Sequence, residues 1–369
     1  MNCLVLLLLA IFYLEVANGE TVKYISQNFQ ARTNLNTPQA NIALGTPPQN
    51  TTVLLDTGSW NAFIPGSING YPENKYSVYN ASSSSTFSQT RFLPNMYWNQ
   101  PTSSDFKWFV FDQAYFGEGQ GAGQFNTSFV MQTTFQTPIF GLDVNSVRRK
   151  PYDSVIMMMR EAGLIRNLSF AISYNDDTPD NYDGNFMFGA IDYSKFIGKL
   201  VAIPLNNGRL QVDNPIYYER GDGAQEYTVD NPFTLSYQPG TTTMFDTGGI
   251  NFSIDKLAYS DVMRILGTVN GKFQSSVIKS RKPVIIYSLG GGKFKFTVDL
   301  YKRLPQGNPI GFFKGVAQSS SKMVQQGPGL FKYVYTVWDY ENERMLFGNR
   351  NPNPGAPDIR YLTEDIIQS

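Results

Sequence analysis

Short hydrophobic runs, rich in aromatic and β-branched residues, recur along most of the chain and are separated by polar stretches with Gly, Pro, Asn and Ser. Runs of this length and composition, bounded by such turn residues, are typical of β-strands. The predicted strands span residues 39–45, 51–55, 106–111, 186–188, 200–203, 282–287, 293–298 and 333–338. The predicted helices span residues 151–162, 193–196 and 256–266. Many short strands with few helices predict a mostly β protein of the sandwich or barrel class.

One segment of this pattern occurs twice. Residues 54–64 have the sequence LLDTGSWNAFI, and residues 244–254 have the sequence MFDTGGINFSI. The Asp, Thr, Gly, Asn and Ile positions match in register, whereas a single Asp-Thr-Gly arises by chance in about one chain in ten at average residue usage. The two copies lie about one domain length apart. The repeat therefore predicts two duplicated lobes with one site between them.

The N-terminus has the pattern of a secretory signal peptide. Residues 4–14 are apolar, and residues 17–19 are small or polar as a signal peptidase requires. The apolar run is about half the roughly 20 residues that a membrane-spanning helix needs, so we expect no membrane anchor. We expect residues 1–19 to be removed, leaving an N-terminal lobe at 20–192 and a C-terminal lobe at 193–369. The destination is then the exterior or the lumen of an acidic secretory compartment.

The composition restricts the chemistry. The chain has 369 residues with 30 Lys and Arg, 30 Asp and Glu, no histidine and a single cysteine, Cys3, inside the leader. A Ser-His-Asp or Cys-His triad and an ordinary imidazole metal site are therefore excluded. A formal net charge of zero without a basic run argues against a nucleic-acid partner. We expect carboxylates to carry the acid–base chemistry, in a monomer without metal or cofactor.

Export would also expose the chain to disulfide formation and N-glycosylation. The mature chain has no cysteine, so we expect burial alone to hold its fold. Acceptor triplets occur at Asn50, Asn80, Asn126, Asn167 and Asn251. The first four are glycosylation candidates on loops or strand edges. Asn251 belongs to a segment expected to be buried, so we expect it to be unmodified.

Each copy of the repeat is an apolar strand that ends in an acid, followed by a threonine and a glycine. The glycine, Gly58 or Gly248, lets the backbone turn so that its amide faces the carboxylate. Two such loops face to face bring Asp56 and Asp246 into a partly desolvated cleft, where the pair titrates as a unit and keeps one proton at acidic pH. One carboxylic acid and one carboxylate can then activate a water for attack on a peptide carbonyl and protonate the leaving nitrogen.

These residues resemble the pepsin family of aspartic endopeptidases over essentially all of the mature chain. The further segments that carry the resemblance are residues 41–49, 139–142, 188–192, 200–204 and 333–347. It implies a mostly β, bilobal pepsin-like acid protease fold, with two duplicated β-barrel-like lobes and a flap hairpin over the cleft. Asp56 and Asp246 are then the catalytic dyad, acting on peptide or protein substrates. Thr57 and Thr247 would brace the two loops against each other, and Ser59 would donate to the outer oxygen of Asp56.

The Gly-rich segment 115–123 is the candidate for the flap, with glycines at the tip of a hairpin. By resemblance, Phe116 stands where the family has a tyrosine, and Phe63 stands where it has a tryptophan. The flap and substrate-binding candidates are Tyr115, Phe116, Gly117 and Phe63. A cleft lined by Phe63, Phe116 and residues near Phe140 predicts cleavage between bulky hydrophobic residues. The alternative is a Gly-rich surface hairpin, with these aromatic residues in the core.

The chain departs from the family pattern at several places. Gly249 stands where the family has Thr or Ser, so we expect Asp246 to lack a hydroxyl donor, to have a raised pKa and to act closer to neutral pH than pepsin. Ile250 replaces a neighbouring serine, and the strand expected to support Asp246 contains the polar sequence QQG at residues 325–327. Residues 20–36 hold only two bases, so we expect no self-inhibiting pro-segment.

Three functions fit these residues. An active aspartic endopeptidase uses both acids, both threonines, both glycines and a flap. A catalytically weak or inactive relative would bind peptides or polysaccharide in the same cleft, and the departures at Gly249, Phe116 and residues 325–326 motivate this alternative. A carboxylate glycosidase also suits a chain without histidine, but it explains neither the repeat nor the threonines.

Overall fold

The computed structural model describes residues 22–31, 37–59, 62–68, 78–92, 107–132, 137–144, 154–175, 183–221, 227–249, 252–269, 272–301, 313–316 and 322–368. The expected leader at 1–19, Ile250 and Asn251 lie outside these ranges. Over the described residues the chain is built mainly from short β-strands, as the sequence pattern predicts.

The strands alternate with few helices in both halves of the chain. In the first half the strands are β1 (Ile25–Ala31), β2 (Pro38–Leu44), β3 (Gln49–Asp56), β4 (Phe63–Ser67), β5 (Tyr79–Asn80), β6 (Ser88–Phe92), β7 (Lys107–Phe116), β8 (Gly123–Gln132), β9 (Ile139–Gly141), β10 (Ser169–Tyr174), β11 (Gly184–Phe188) and β12 (Ile191–Asp192). In the second half they are β13 (Phe196–Pro204), β14 (Leu210–Gln211), β15 (Ile216–Glu219), β16 (Phe233–Thr234), β17 (Thr242–Phe245), β18 (Phe252–Asp255), β19 (Thr268–Val269), β20 (Lys272–Phe273), β21 (Pro283–Leu289), β22 (Phe294–Asp299), β23 (Phe313–Val316), β24 (Met323–Gln326), β25 (Val334–Asp339), β26 (Arg344–Arg350), β27 (Ile359–Arg360) and β28 (Ile367–Gln368). The α-helices of the described ranges are α1 (Val155–Glu161), α2 (Lys256–Leu266) and α3 (Ser275–Arg281), and short 3-10 helices span Ala81–Ser83, Gly119–Gly121, Tyr193–Lys195, Pro328–Lys332 and Glu364–Ile366.

Strands of the first half close into a barrel. The order β2-β3-β9-β4-β8-β7 is continuous, and β7 pairs back onto β2, where Leu44 lies opposite Ala114. Closure removes the exposed strand edges and encloses an apolar interior. Buried apolar residues of these strands include Leu44, Val53, Leu55, Ile64, Val110, Phe129, Met131 and Phe140. The barrel therefore supplies a rigid support for the loop that follows β3.

A second group of strands crosses from one half of the chain to the other. β1, β11 and β10 of the first half continue through β25, β26, β13 and β28 of the second half in one sheet. At the junction Ala171 pairs with Val337, and Phe170 stacks on Trp338 with ring centroids 4.8 Å apart. The two halves are therefore joined by a continuous sheet as well as by the peptide chain, while the lobe boundary after residue 192 stays a prediction.

Most of the rest of the second half folds on two further sheets, and β27 pairs with β12 and β19 with β20. One has the order β14-β17-β24-β18-β23, and the other has the order β16-β15-β21-β22. Helix α2 begins after Asp255, whose carboxylate accepts from Leu257 N at 2.9 Å, and it ends at Gly267 with φ of 71°. Ala258 and Val262 lie on its buried face, so the helix packs as an amphipathic segment.

The helix predictions are largely confirmed. The segment 256–266 forms α2, the segment 151–162 forms α1 over its described part, and residues 193–195 form a 3-10 turn before Phe196 begins β13. The sequence pattern does not indicate α3, because its sequence SSVIKSR has few apolar residues to mark a buried face. Within the described ranges, no helix has both the length and the apolar character needed to cross a bilayer.

Candidate active site

Each copy of the repeated sequence begins at the end of a strand that has a parallel neighbour. β3 ends at Asp56 and pairs in parallel with β9, while β17 ends one residue before Asp246 and pairs in parallel with β24. Leu142 N donates to Asp56 O at 2.8 Å, and Asp246 N donates to Gln326 O at 2.9 Å. Backbone pairing therefore fixes the start of both loops and confirms the register that places residues 325–327 beside the second acid.

The two threonines hold the loops against each other. Thr57 N donates to Thr247 Oγ1 at 2.9 Å, and Thr247 N donates to Thr57 Oγ1 at 3.0 Å. Thr57 Oγ1 in turn donates to Phe245 O at 2.8 Å. Thr247 Oγ1 donates to Leu55 O at 2.5 Å. Both threonines are buried, so these bonds satisfy groups that burial would otherwise leave unpaired.

The two glycines bring the carboxyl groups together. Gly58 N donates to Asp56 Oδ1 at 2.8 Å, and a Cβ placed on Gly58 would lie 2.5 Å from Asp246 Cγ. Gly248 N donates to Asp246 Oδ1 at 2.8 Å, and a Cβ placed on Gly248 would lie 2.6 Å from Asp56 Oδ2. Each glycine thus faces the carboxyl group of the opposite loop, which leaves no room for a side chain. The predicted acids and their neighbours are therefore gathered at one place.

The outer oxygens of the two carboxyl groups receive different donors. Ser59 Oγ donates to Asp56 Oδ2 at 2.5 Å, as the resemblance implies. On Asp246, Oδ2 accepts from Gln325 Nε2, while Oδ1 also accepts from Gly249 N at 3.0 Å. Asp246 thus receives no hydroxyl donor from position 249, as expected, and the amide of Gln325 supplies a side-chain donor that the sequence pattern does not predict.

Gln325 is the site residue that the sequence analysis does not assign. It lies in β24 opposite Met244, in the strand that the resemblance predicts to be apolar. The signal that could have found it is a pair of departures, the missing side chain at Gly249 and a polar residue in the supporting strand. Together they mean that the side-chain donor to Asp246 lies in the supporting strand and not in the loop.

Burial and charge set the protonation of the second acid. Asp56 is 6% exposed and Asp246 is 5% exposed. Burial, the charge of Asp56 and a hydrogen bond to the Asp56 side chain raise the pKa of Asp246 to about 7. The Gln325 amide and Gly248 N–H act in the opposite direction, because they stabilise the ionised carboxylate. The raised pKa of Asp246 therefore arises from burial and from Asp56, and not from a missing donor.

The Gly-rich hairpin between β7 and β8 is docked on β1. Gly117 N donates to Gln27 Oε1 at 2.8 Å, and Glu118 N donates to Ser26 O at 3.0 Å. β1 belongs to the sheet that joins the two halves of the chain. These bonds fix the tip of the hairpin on β1, and the assignment of residues 115–123 as a flap over the acids stays a prediction beside the alternative of a surface hairpin.

The aromatic residues expected to line the cleft lie in the core. Phe116 is 2% exposed and packs against Phe125 and Phe140, with ring centroids 5.9 and 5.1 Å away. Phe63 is buried at the start of β4, and Tyr115 is half-buried on the other face of β7. This burial gives no support to a preference for bulky hydrophobic residues at the scissile bond, which stays a prediction.

The glycosylation candidates lie at the surface to different degrees. Asn50, Asn80 and Asn126 are exposed, whereas Asn167 is half-buried. Asn80 Oδ1 accepts from Ser82 N at 3.0 Å in the turn that starts the 3-10 helix there. Modification at these four positions stays a prediction.

Two halves that share one sheet and meet at paired Asp-Thr-Gly loops define a two-lobed aspartic protease architecture. The sequence matches the family described as Eukaryotic aspartyl protease over residues 39–350, which is most of the chain. The chain belongs to this family, and the expected pepsin-like fold is confirmed.

The similar proteins are aspartic proteinases from fungi and mammals. Aspartic proteinase yapsin-3 of Saccharomyces cerevisiae is 29% identical over 362 residues, covering 88% of this chain and 68% of the relative. Pepsin A of Canis lupus familiaris is 22% identical over 324 residues, covering 82% of this chain and 78% of the relative. Secreted aspartic protease 9 of Candida albicans is 25% identical over 214 residues, covering 55% of this chain and 38% of the relative.

Proposed function

We propose that the chain is an aspartic endopeptidase that hydrolyses peptide bonds through a water activated by Asp56 and Asp246. The observation that carries the proposal is the pair of buried carboxyl groups, each facing the glycine of the opposite loop. Membership of the eukaryotic aspartyl protease family supports it. The substrates are peptides or proteins, and the chemistry requires no metal or cofactor.

The two acids take different parts in this reaction. Burial and the charge of Asp56 raise the pKa of Asp246 to about 7, so Asp246 is the acid that holds the single proton of the pair. Asp56 takes a proton from the water as its oxygen attacks the peptide carbonyl, and Asp246 gives its proton to the carbonyl oxygen. The resulting diol returns one hydroxyl proton to Asp246 as the C–N bond breaks, and the leaving nitrogen takes the proton held by Asp56.

The threonine bonds give this pair a fixed geometry. Thr57 and Thr247 connect each loop to the backbone of the other, so the two carboxyl groups cannot separate without breaking buried hydrogen bonds. Fixed acids favour the reaction because the water and both proton-transfer groups are aligned before the substrate binds. The same bonds couple the two lobes at the site.

Cleavage of a denatured protein by the purified exported chain at acidic pH tests the proposal. We expect a statine-type transition-state mimic to block cleavage, and Asp56→Asn and Asp246→Asn each to reduce kcat/KM by about 10²- to 10⁴-fold or more. The exposed carboxylate Asp230 provides the matched control, and Asp230→Asn is expected to leave cleavage unchanged. Tight binding of the mimic without cleavage would instead identify a non-catalytic relative.

Within the described residues, the three departures that motivate the non-catalytic alternative each have a packing or hydrogen-bond partner. Gln325 donates to the outer oxygen of Asp246 where Gly249 has no side chain, and Phe116 is buried against other aromatic rings. Gln326 has its own bonds within the supporting sheet, through its Nε2 to Ser253 O at 3.1 Å. The departures that motivated the alternative thus have structural explanations.

We also propose export through the secretory pathway. The pattern of residues 1–19 supports it, and one similar protein is named a secreted aspartic protease. Sequencing the N-terminus of the chain recovered from the culture medium is expected to give residue 20 as the first residue. Removal of N-glycans is expected to lower its apparent mass. A chain retained inside the cell with residues 1–19 intact would contradict export.

A further inference from the structure

The outer oxygen of each acid receives its hydrogen bond from a different part of the fold. In the first lobe the donor is Ser59, three residues after Asp56 in the same loop. The matching position after Asp246 is Gly249, which has no side chain to offer. Its place is taken by Gln325, whose amide reaches Asp246 Oδ2 from the neighbouring strand β24.

The Gln325 amide occupies the space that a side chain at position 249 would need. A Cβ placed on Gly249 would lie 2.5 Å from Gln325 Nε2 and 2.8 Å from its Cδ, so a side chain at 249 would displace this amide from its present position. In the first lobe the strand residue that corresponds to Gln325 is Ile139, because Leu54 pairs with Ile139 as Met244 pairs with Gln325. In the first lobe the donor is the loop residue Ser59, and the strand residue, Ile139, is apolar. In the second lobe the donor is the strand residue Gln325, and the loop residue is Gly249.

Ser253 holds Gln325 in place for this contact. Ser253 Oγ accepts from Gln325 N at 2.8 Å and donates to Gln325 O at 2.7 Å. Ser253 is 4% exposed, so water does not compete for these two hydrogen bonds. The adjacent Gln326 directs its amide to Ser253 O and not to the acid. The backbone of β24 thus aims one glutamine at Asp246 and uses the other within the sheet.

We propose that Gln325 is the positioning residue that supplies the outer-oxygen hydrogen bond to Asp246, and that residue 249 is glycine because this bond needs the space. The inference rests on the proposed dyad. The amide of Gln325 stabilises the ionised form of Asp246 and so lowers the pKa of Asp246. The pair therefore loses its single proton at a lower pH than it would without Gln325. A hydroxyl donor at 249 with an apolar residue at 325 would perform the same role.

The test is a cycle of Gln325→Leu, Gly249→Ser and the double variant. Gln325→Leu is expected to move the alkaline limb of the kcat/KM profile up by about 1 pH unit, because a hydrogen bond to the charged carboxylate is lost. Gly249→Ser alone is expected to lower the thermal midpoint, because its Cβ overlaps the Gln325 amide. The double variant is expected to recover both values. Gln326→Leu is the matched control, expected to lower stability without moving the limb.

A readout without substrate separates this inference from the proposed function. Carboxyl ¹³C NMR of chain labelled at aspartate, assigned with Asp246→Asn, is expected to show the same upward shift for Asp246 in Gln325→Leu. If the chain cleaves no peptide, the proposed function fails, and this titration still decides the role of Gln325. An Asp246 titration unchanged by Gln325→Leu, or a double variant without recovery, would overturn the inference.

Discussion

At the scale of single residues, the reciprocal threonine bonds are the part of the site with the clearest energetic consequence. Thr57→Val removes the acceptor of Thr247 N and the donor to Phe245 O, both of which are buried. We expect the free energy of unfolding to fall by about 2–4 kcal/mol, because two buried groups lose their partners. Urea denaturation measures this loss. Thr228→Val is the control: Thr228 Oγ1 accepts from Asn231 N at 3.1 Å at the surface, and equal losses for both variants would contradict the argument.

A second residue-scale prediction concerns the pH dependence of stability. The pKa of Asp246 is raised in the folded chain from 3.8 to about 7, so folding takes up a proton between these values. Its contribution is fully present below about pH 4 and is lost as the pH rises through about 7. We expect the free energy of unfolding to fall on the order of 1–4 kcal/mol over this range.

Urea denaturation at a series of pH values measures this dependence. Asp246→Asn cannot titrate and is expected to flatten the curve between pH 4 and 7, the limits set by the folded and unfolded pKa of Asp246. The exposed Asp230 supplies the control, since Asp230→Asn is expected to retain the wild-type slope. A slope that survives in Asp246→Asn would show that other groups are responsible.

Residues of the site differ in how far the sequence alone predicts them. The acids, threonines and glycines are adjacent within each copy of the repeat, so their grouping follows from local sequence and from the pairing of two copies. Gln325 acts on Asp246 only because β17 and β24 lie side by side in one register. A contact that depends on strand register between distant segments has no local signature.

At the scale of elements, the sequence predicts the Gly-rich hairpin but not the strand on which its tip packs. Gly117 and Gly119 have φ of 84° and 58°, so the turn itself requires glycine. The sequence therefore predicts a tight hairpin at this position. Its partner is decided by tertiary packing, which places the tip on β1. The connection between β6 and β7, at residues 93–106, lies outside the described part of the chain.

The docking of this hairpin predicts a variant that separates structure from catalysis. Asn28 Nδ2 donates to Glu118 Oε2 at 2.7 Å, and Glu118→Ala removes this exposed contact. We expect the free energy of unfolding to fall by about 0.5–1.5 kcal/mol, with kcat/KM changed by less than about 2-fold. Denaturation and cleavage assays on the same preparation provide both values. A large fall in kcat/KM at unchanged stability would instead support the flap assignment of this hairpin.

At the scale of the whole molecule, the hydrophobic pattern is sufficient to predict a mostly β chain, and the repeat is sufficient to predict two lobes. Neither predicts how the lobes are joined. The shared sheet pairs β10 with β25, two strands that lie far apart in sequence and that each resemble an ordinary core strand. Because β10 and β25 are both apolar, the hydrophobic pattern predicts that each is buried but does not predict that they pair.

Trp338 lies at this junction and allows the coupling between halves to be measured. Its ring is 4% exposed, stacks on Phe170 of the first half and lies 5.7 Å from the ring of Phe331 in the second. Trp338→Ala is expected to lower the free energy of unfolding by about 3–5 kcal/mol, and Trp338→Phe by less, because the cavity is smaller. Since the ring contacts both halves, we expect the loss to affect both of them.

Amide hydrogen exchange distinguishes a shared loss from a local one. In Trp338→Ala, or in Trp338→Phe if the larger truncation does not fold, protection is expected to fall together in β2–β3 and in β21–β22. Phe296→Ala is the matched control, because Phe296 packs on Tyr287 within the second half at a centroid distance of 5.5 Å. Its loss of protection is expected to stay within β21–β22. Confinement of the Trp338 effect to the second half would mean that the shared sheet connects the lobes without coupling their stability.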